Sequence, residues 1–312
     1  RRGVTIEGKQ YPMKDCYFPT VTPETPYSLT YAEQELMERL KISFLHSEKL
    51  QAHVKFLFKQ GGMYKVHNNN LLYHGCIPME PDGSFAALEV DGVQYRGKEL
   101  LDYSDKLCRQ GAFGVAGSQE RRNGLDFMWF LWCGPKSPLN GKNKMTTFER
   151  YFIDDKDTWT ETKDVYYRCS DDPEVAKRIL KEFGIEDDHA HIVNGHVPVK
   201  IRKGESPVKA GGRLLIIDGG ISKAYQAVTG IAGYTLISNS HQLYLSEHHP
   251  FSSIDTIVRN NSDMQSRIVP VDTYPERIKI CHTDDGKKIQ EKIDDLLLLL
   301  QAYRLGLITQ NS

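Results

Sequence analysis

HIVNGHVPVKIRKGESPVKAGGRLLIIDGG, residues His191–Gly220, sets two short apolar runs on either side of a long basic loop. Ile192 and Val193 read as the end of a buried strand. Gly195 then allows a tight turn that presents His196 at the strand's carboxyl end, where open α/β sheets place their ligands. Lys200, Arg202, Lys203, Lys209 and Arg213 follow, and Lys223 comes just after the Gly219-Gly220 turn. An imidazole beside such a cluster of cations points to a phosphorylated substrate. The second run, LLIID, ends in Asp218, a carboxylate placed either to orient or contact a metal-bound histidine or simply to close its own turn.

The same context recurs upstream. In LLYHGCIPM, residues 71–79, His74 ends an apolar run and precedes a glycine, as His196 follows one. Two strand-end histidines of this kind could share a divalent metal through neutral imidazoles. His189 and His191 are close in sequence to His196, but their spacing along a strand and turn does not bring three rings onto one ion. His191 reads as a core residue or a support of the site. The segment GPKSPLNGKNKMTTFERYF, Gly134–Phe152, adds Lys136, Lys142, Lys144 and Arg150. It is either a solvated loop leading into a capped helix or a fold over an anionic substrate. A nucleotide phosphate loop ending in Gly-Lys-Ser/Thr is absent.

Around these motifs the chain alternates strand and helix signals. Thr30 with Glu33 forms a capping box ahead of an apolar stripe, Ser47 offers a second cap, and Gly61-Gly62 stops the second helix. Asn68-Asn69-Asn70 and Asp91-Gly92 read as hairpin turns. The stretch from Gly97 to Phe152 is helical in pattern, with Phe127, Trp129, Phe130 and Trp132 expected mostly in the core. Asp154 to Lys163 reads as a surface loop, and Asp172-Pro173 opens a helix that Gly184 closes. Short strands return around Ile192, 213–217, 234–237 and 242–246, followed by a loose polar segment at 259–267. The last helix, 285–305, carries Ile289, Ile293, Leu296, Leu297 and Leu300. Its stripe is expected to be buried against the sheets, with a subunit contact and a homo-oligomer as the alternative.

With 312 residues and 39% apolar composition, the chain can bury a large core. A net charge of −1 and a pI near 6.9 argue against nucleic acid as the main partner. Six cysteines without a Cys-x-x-Cys pair suit reduced thiols in a cytoplasm. The five-residue run Leu296–Leu300 is far shorter than the roughly twenty residues a spanning helix requires, so no membrane partner is expected.

Five strings, LLYHGCIPM, KMTTFERYF, NGHVPVK, KGESPVKAGGRLLIIDGG and SKAYQAVTGIAGYTLISNS, resemble the bacterial class 3 fructose-1,6-bisphosphatases of the calcineurin-like metallophosphoesterase superfamily. The likeness runs from about Thr5 to the end. It implies an α/β fold, a metallophosphoesterase-type β sandwich flanked by helices, with helical insertions. It also implies a dinuclear Mn²⁺ centre and hydrolysis of the 1-phosphate of fructose 1,6-bisphosphate in gluconeogenesis. On this resemblance His74 and His196 are metal ligands. Lys200 and Lys203, then Lys144, Arg150 and Lys223, hold the sugar phosphate, and Asp218 supports the ligands. The expected organisation is an irregular segment and helical hairpin at 1–62, the sandwich at 63–284 with a helical insertion at about 97–185, and a final helix at 285–312.

The superfamily's Asp-x-His, Gly-Asp-x-x-Asp-Arg-Gly and Gly-Asn-His-Asp/Glu strings are expected outside these residues, which leaves the catalytic residues unassigned. The chain then reads as a carboxyl-terminal portion with little activity alone. A metallophosphatase of other specificity and a non-catalytic sugar-phosphate-binding module are the alternatives.

Overall fold

The chain, seen in a computed structural model, is described at residues 3–218, 220, 222–230, 233–249, 253–261 and 266–308, without the side chains of residues 223 and 226. It opens with a hairpin, β1 (Gly3–Ile6) and β2 (Lys9–Pro12). Helix α1 (Tyr31–Leu45) starts at the expected capping box, with the Thr30 hydroxyl accepting from the Glu33 N–H and Glu33 accepting from the Thr30 N–H. Ser47 caps α2 (Glu48–Gln60), which stops at Gly61. Strands β3 (Tyr64–His67) and β4 (Asn70–Tyr73) turn through Asn68 and Asn69, both left-handed at φ 47° and 60°, a backbone that asparagine tolerates. A second hairpin, β5 (Leu88–Val90) and β6 (Val93–Tyr95), turns through Asp91-Gly92.

Helices α3 (Gly97–Phe113), α4 (Gln119–Cys133) and α5 (Thr147–Phe152) follow, then α6 (Tyr166–Cys169) and α7 (Pro173–Glu182), the last opened by Asp172 with proline in its first turn. Strands β7 (Ile192–Asn194), β8 (Val208–Lys209) and β9 (Leu214–Ile216) precede α8 (Lys223–Thr229). The remaining elements are β10 (Gly233–Ser238), β11 (Gln242–His248), α9 (Ile254–Asn260), β12 (Ser266–Thr273) and α10 (Asp284–Arg304). The result is a mixed α/β fold.

Two compact units divide the chain. The first comprises Arg1–Met63, Ile77–Glu80 and Ser84–Val165; the second comprises Tyr64–Cys76, Pro81–Gly83 and Tyr166–Ser312. The helices after Gly97 thus cluster with the amino-terminal helices as far as Val165, and 166–185 belongs with the sheets. In the first unit α3 and α4 pack backbone to backbone where Gly111 meets Gly124. A Cβ on Gly124 would lie 2.3 Å from the Gly111 nitrogen, so only glycine allows that approach. Leu100, Leu101, Phe127 and Leu131 fill the space beside it.

In the second unit a five-stranded sheet has the order β3-β4-β7-β9-β8, and β10, β11 and β12 form an antiparallel sheet of their own. β4, β7 and β9 are parallel neighbours, and their outer partners β3 and β8 run antiparallel. Leu71, Ile192, Leu214 and Leu215 are buried to within 1%, which explains why these strands read as apolar runs rather than alternating ones. Val199, Tyr234 and Leu245 form a further buried cluster, packed by Ile216, Leu236 and Val269.

Two expectations fail here, and a third falls largely outside the described residues. Trp129 and Trp132 are exposed at 65% and 56% and stack edge to face on each other, because α4 buries the face of Gly124, Phe127 and Leu131 and both indoles lie on another side. The segment expected to be loose, 259–267, runs from the last residues of α9 to the first of β12, and its middle, 262–265, lies outside the described residues. Finally, α10 buries Gly286 and none of its leucines. Leu296 to Leu300 range from 43% to 64% exposed. Five consecutive leucines cover every side of a helix, so no single stripe selects a neighbour. The helix is tied at its start, where Asn68 and Asp284 exchange hydrogen bonds between backbone N–H and side-chain oxygen at 2.7 and 2.9 Å. No helix among the described residues is long and apolar enough to cross a membrane.

Asp272 of β12 accepts from His189 Nδ1 at 2.7 Å and lies 3.8 Å from His191 Nε2. The hydrogen bond to Asp272 raises the His189 pKa against a smaller opposing effect of burial, and Asp187 and Asp188 add to it. Burial dominates at His191 and lowers its pKa, with Asp272 opposing and His189 and Arg213 reinforcing. The His189 pair therefore stabilises the fold fully below about pH 6.5 and loses that contribution as the pH rises through the raised value. His191 acts in the opposite sense, and its contribution is lost as the pH falls below about 6.5. An NMR titration is expected to show His189 titrating above 6.5 and His191 below it, with Asp272→Asn moving His189 back toward about 6.5. In urea unfolding, Ile192→Ala is expected to cost about 2–5 kcal/mol, because it empties a fully buried site in the central strand.

Candidate metal centre

Parallel pairing of β4 with β7, in the register Leu71↔Ile192 to Tyr73↔Asn194, brings the ends of the two strands side by side. His74 follows β4 by one residue and His196 follows β7 by two, so both imidazoles emerge at the same sheet edge. His196 Nδ1 lies 3.2 Å from His74 Nε2, and the rings meet edge to face with centroids 5.1 Å apart. His196 adopts a left-handed φ of 65°, uncommon for a residue with a side chain and typical of strained functional positions.

The backbone where the two strands end is tightly specified. Gly195 N–H donates to the His74 carbonyl at 3.1 Å, and a Cβ on Gly195 would stand 3.2 Å from His74 Nδ1. The carboxamide of Asn194, which is 3% exposed, donates to the carbonyls of Tyr73, His74 and Gly75 at 3.2, 3.2 and 2.7 Å. Asn194 has no site role in the sequence pattern; its place at the end of an apolar run, two residues before the histidine, is the available signal.

Asp218 follows β9, the next parallel strand. Its Oδ1 accepts from the Gly220 N–H at 2.8 Å, and its carbonyl accepts from Val199 N–H. Among the described residues the carboxylate closes its own turn and bonds neither imidazole. Lys200 and Lys203 flank a short helical turn four and seven residues after His196. Among the described residues neither makes an ion pair. The side chain of Lys223 lies outside the described residues.

Lys144 and Arg150 belong to the other unit, where internal partners engage both. Lys144 pairs with Glu7 at 2.9 Å, and that hydrogen bond raises its pKa. Arg150 donates to the Thr146 hydroxyl and the Trp159 carbonyl, each at 3.1 Å. Nearby, burial works against the Glu161 carboxylate, but hydrogen bonds from Lys142 and Thr146 outweigh it and hold its pKa down to about 2. The 134–152 loop is accordingly braced from within.

Two imidazole nitrogens bound at about 2.1 Å to one ion stand roughly 3.0–3.4 Å apart for right-angled to tetrahedral geometry. The 3.2 Å spacing fits that range. Among the described residues no cluster of three or more His, Cys, Asp and Glu groups could hold a metal. Asp187-Asp188-His189 does spell an Asp-x-His string within the chain, contrary to expectation. It precedes β7, at the opposite end from His196, and is occupied by Asn69, Arg213 and Asp272. Gly195→Ala is expected to push the His74 ring aside and weaken Zn²⁺ binding in calorimetric titration about tenfold, as loss of ligand support does elsewhere, with little change in melting temperature.

Comparison with known proteins places these residues in context. The family model described as Firmicute fructose-1,6-bisphosphatase matches residues 1–305. The class 3 fructose-1,6-bisphosphatase of Clostridium novyi is 49% identical over 307 residues, which are 98% of this chain and 46% of that protein. Those of Alkaliphilus metalliredigens and Bacteroides fragilis are each 50% identical, over 98% and 99% of this chain and 46% and 47% of their own length. The chain therefore spans about half the length of the curated relatives it matches. No solved structure matches it. With a match across nearly all of its residues, the chain belongs to the Firmicute fructose-1,6-bisphosphatase family.

Proposed function

We propose that this chain contributes to hydrolysis of the 1-phosphate of fructose 1,6-bisphosphate, giving fructose 6-phosphate and phosphate, through a dinuclear manganese centre in a metallophosphoesterase-type sandwich. The convergence of His74 and His196 at one sheet edge, at a spacing that suits a single ion, carries the reading. The class 3 relatives supply the substrate by their names. Bound metal would draw charge from the phosphate oxygens and acidify a water for attack.

His74 and His196 would hold one ion as neutral imidazoles. The facing nitrogen of each ring must be free of its proton to bind metal, which a neutral imidazole achieves by carrying the proton on its other nitrogen. Lys200 and Lys203 would bind the phosphate of the substrate as flexible point charges. Two imidazoles alone hold manganese weakly, since that ion prefers oxygen ligands. The carboxylates that complete the centre therefore come from residues other than those described. A reducing cytoplasm, where the six thiols stay reduced, and a role in gluconeogenesis are the setting this reading implies.

Mn²⁺ binding followed by electron paramagnetic resonance, together with phosphate release from fructose 1,6-bisphosphate, tests this directly. The purified 312-residue chain is expected to bind Mn²⁺ weakly, to lose that binding in His74→Ala and His196→Ala, and to release little phosphate. Robust manganese-dependent turnover would refute the need for outside carboxylates. Metal binding indifferent to both histidines would refute the site, and sugar-phosphate binding without metal would favour the non-catalytic module.

A further inference from the structure

We infer that Asn194 is a positioning residue, the group that sets the spacing and direction of the His74 and His196 imidazoles. Its single amide nitrogen faces three consecutive carbonyls, those of Tyr73, His74 and Gly75, at 3.2, 3.2 and 2.7 Å. These carbonyls lie where β4 ends; Tyr73 and Gly75 are buried, and the His74 carbonyl also accepts from the Gly195 N–H. Buried carbonyls require a donor. Three acceptors around one atom also fix the orientation of the carboxamide, because the reversed amide would aim its oxygen at three oxygens.

The consequence for the histidines is geometric. Asn194 wraps the backbone of residues 73–75 around its amide and so sets where His74 leaves the sheet. Through two covalent links it also sets where His196 leaves β7. Gly195 N–H to the His74 carbonyl adds a second tie between the same segments. The left-handed backbone of His196 then turns its ring back toward His74. The Asn194 amide bonds backbone carbonyls and not the ring nitrogens, and so acts through the backbone that carries the rings.

The inference adds to the proposed function but its main readout does not rest on metal or turnover. Crystal structures of the wild-type chain and of Asn194→Ala, Asn194→Asp and Asn194→Ser give the His74 Nε2 to His196 Nδ1 distance, and thermal melting reports folding. Alanine removes the donor, and aspartate keeps the shape while replacing the donor with an acceptor. Serine restores one donor at smaller size. Spacing is expected to open beyond hydrogen-bond range with alanine and aspartate, and less with serine, while Ile192→Val, a core truncation that spares the clamp, leaves it unchanged.

Calorimetric titration with Zn²⁺ alone should weaken about tenfold or more in the two donor-free variants, the loss expected when ligand orientation fails. Wild-type spacing in a folded Asn194→Ala or Asn194→Asp chain would overturn the inference. If aspartate fails to fold, alanine and serine still decide it. Should spacing open while Zn²⁺ binding is indifferent to His74→Ala and His196→Ala, the positioning role stands and the metal reading falls.

Discussion

Parallel pairing of β4 with β7 is the constraint on which the candidate site depends. These strands are only four and three residues long, and Leu71 and Ile192 are wholly buried in their register. A slip of either strand by one residue would reverse its faces and lose the packing of Leu71 beside Ile192. The same shift would separate His74 from His196. Apolar burial thus fixes the register, and the register brings together two imidazoles that are 122 residues apart in the chain.

Pairing alone does not aim the rings. Beyond the last ladder bond each chain is free to diverge, and the Asn194 amide, the Gly195 N–H and the left-handed backbone of His196 govern the next three residues. The polar cluster is buried at its base and open at its tip: Asn194 is inaccessible while His74 is exposed. A rigid support beneath exposed imidazoles suits the metal site proposed for them. At the other end of β7, Asp272 ties His189 and His191, whose pH responses are opposite, to the antiparallel sheet, so the strand is anchored by polar contacts at both ends.

Elsewhere the chain leaves large apolar surfaces in water. Phe44, Phe56, Trp129 and Leu296 each expose more than 60% of their surface, and α1 and α2 bury no residue at all. Exposure on this scale exceeds what scattered surface residues require. The helices themselves are well specified by local means: the Thr30 capping box, the Ser47 cap, and Arg109 reaching from α3 to the Phe58 and Gly61 carbonyls. Their local definition is complete without a buried face.

By itself the sequence determined the elements whose signals are local. Caps at Thr30, Ser47 and Asp172, turns at Asn68-Asn69 and Asp91-Gly92, and the short apolar strands follow from hydrogen bonds and φ preferences within a few residues. It also singled out His74 and His196, because each lies beside a glycine at the end of an apolar run. Tertiary structure alone decided that the Asn194 amide serves three carbonyls from another strand and that Asp218 closes its own turn. It also decided that Lys144 and Arg150 are engaged within their own unit, and that the leucines of α10 stay in solvent. Those outcomes depend on which groups from distant positions meet, and neither periodicity nor spacing along one segment encodes that.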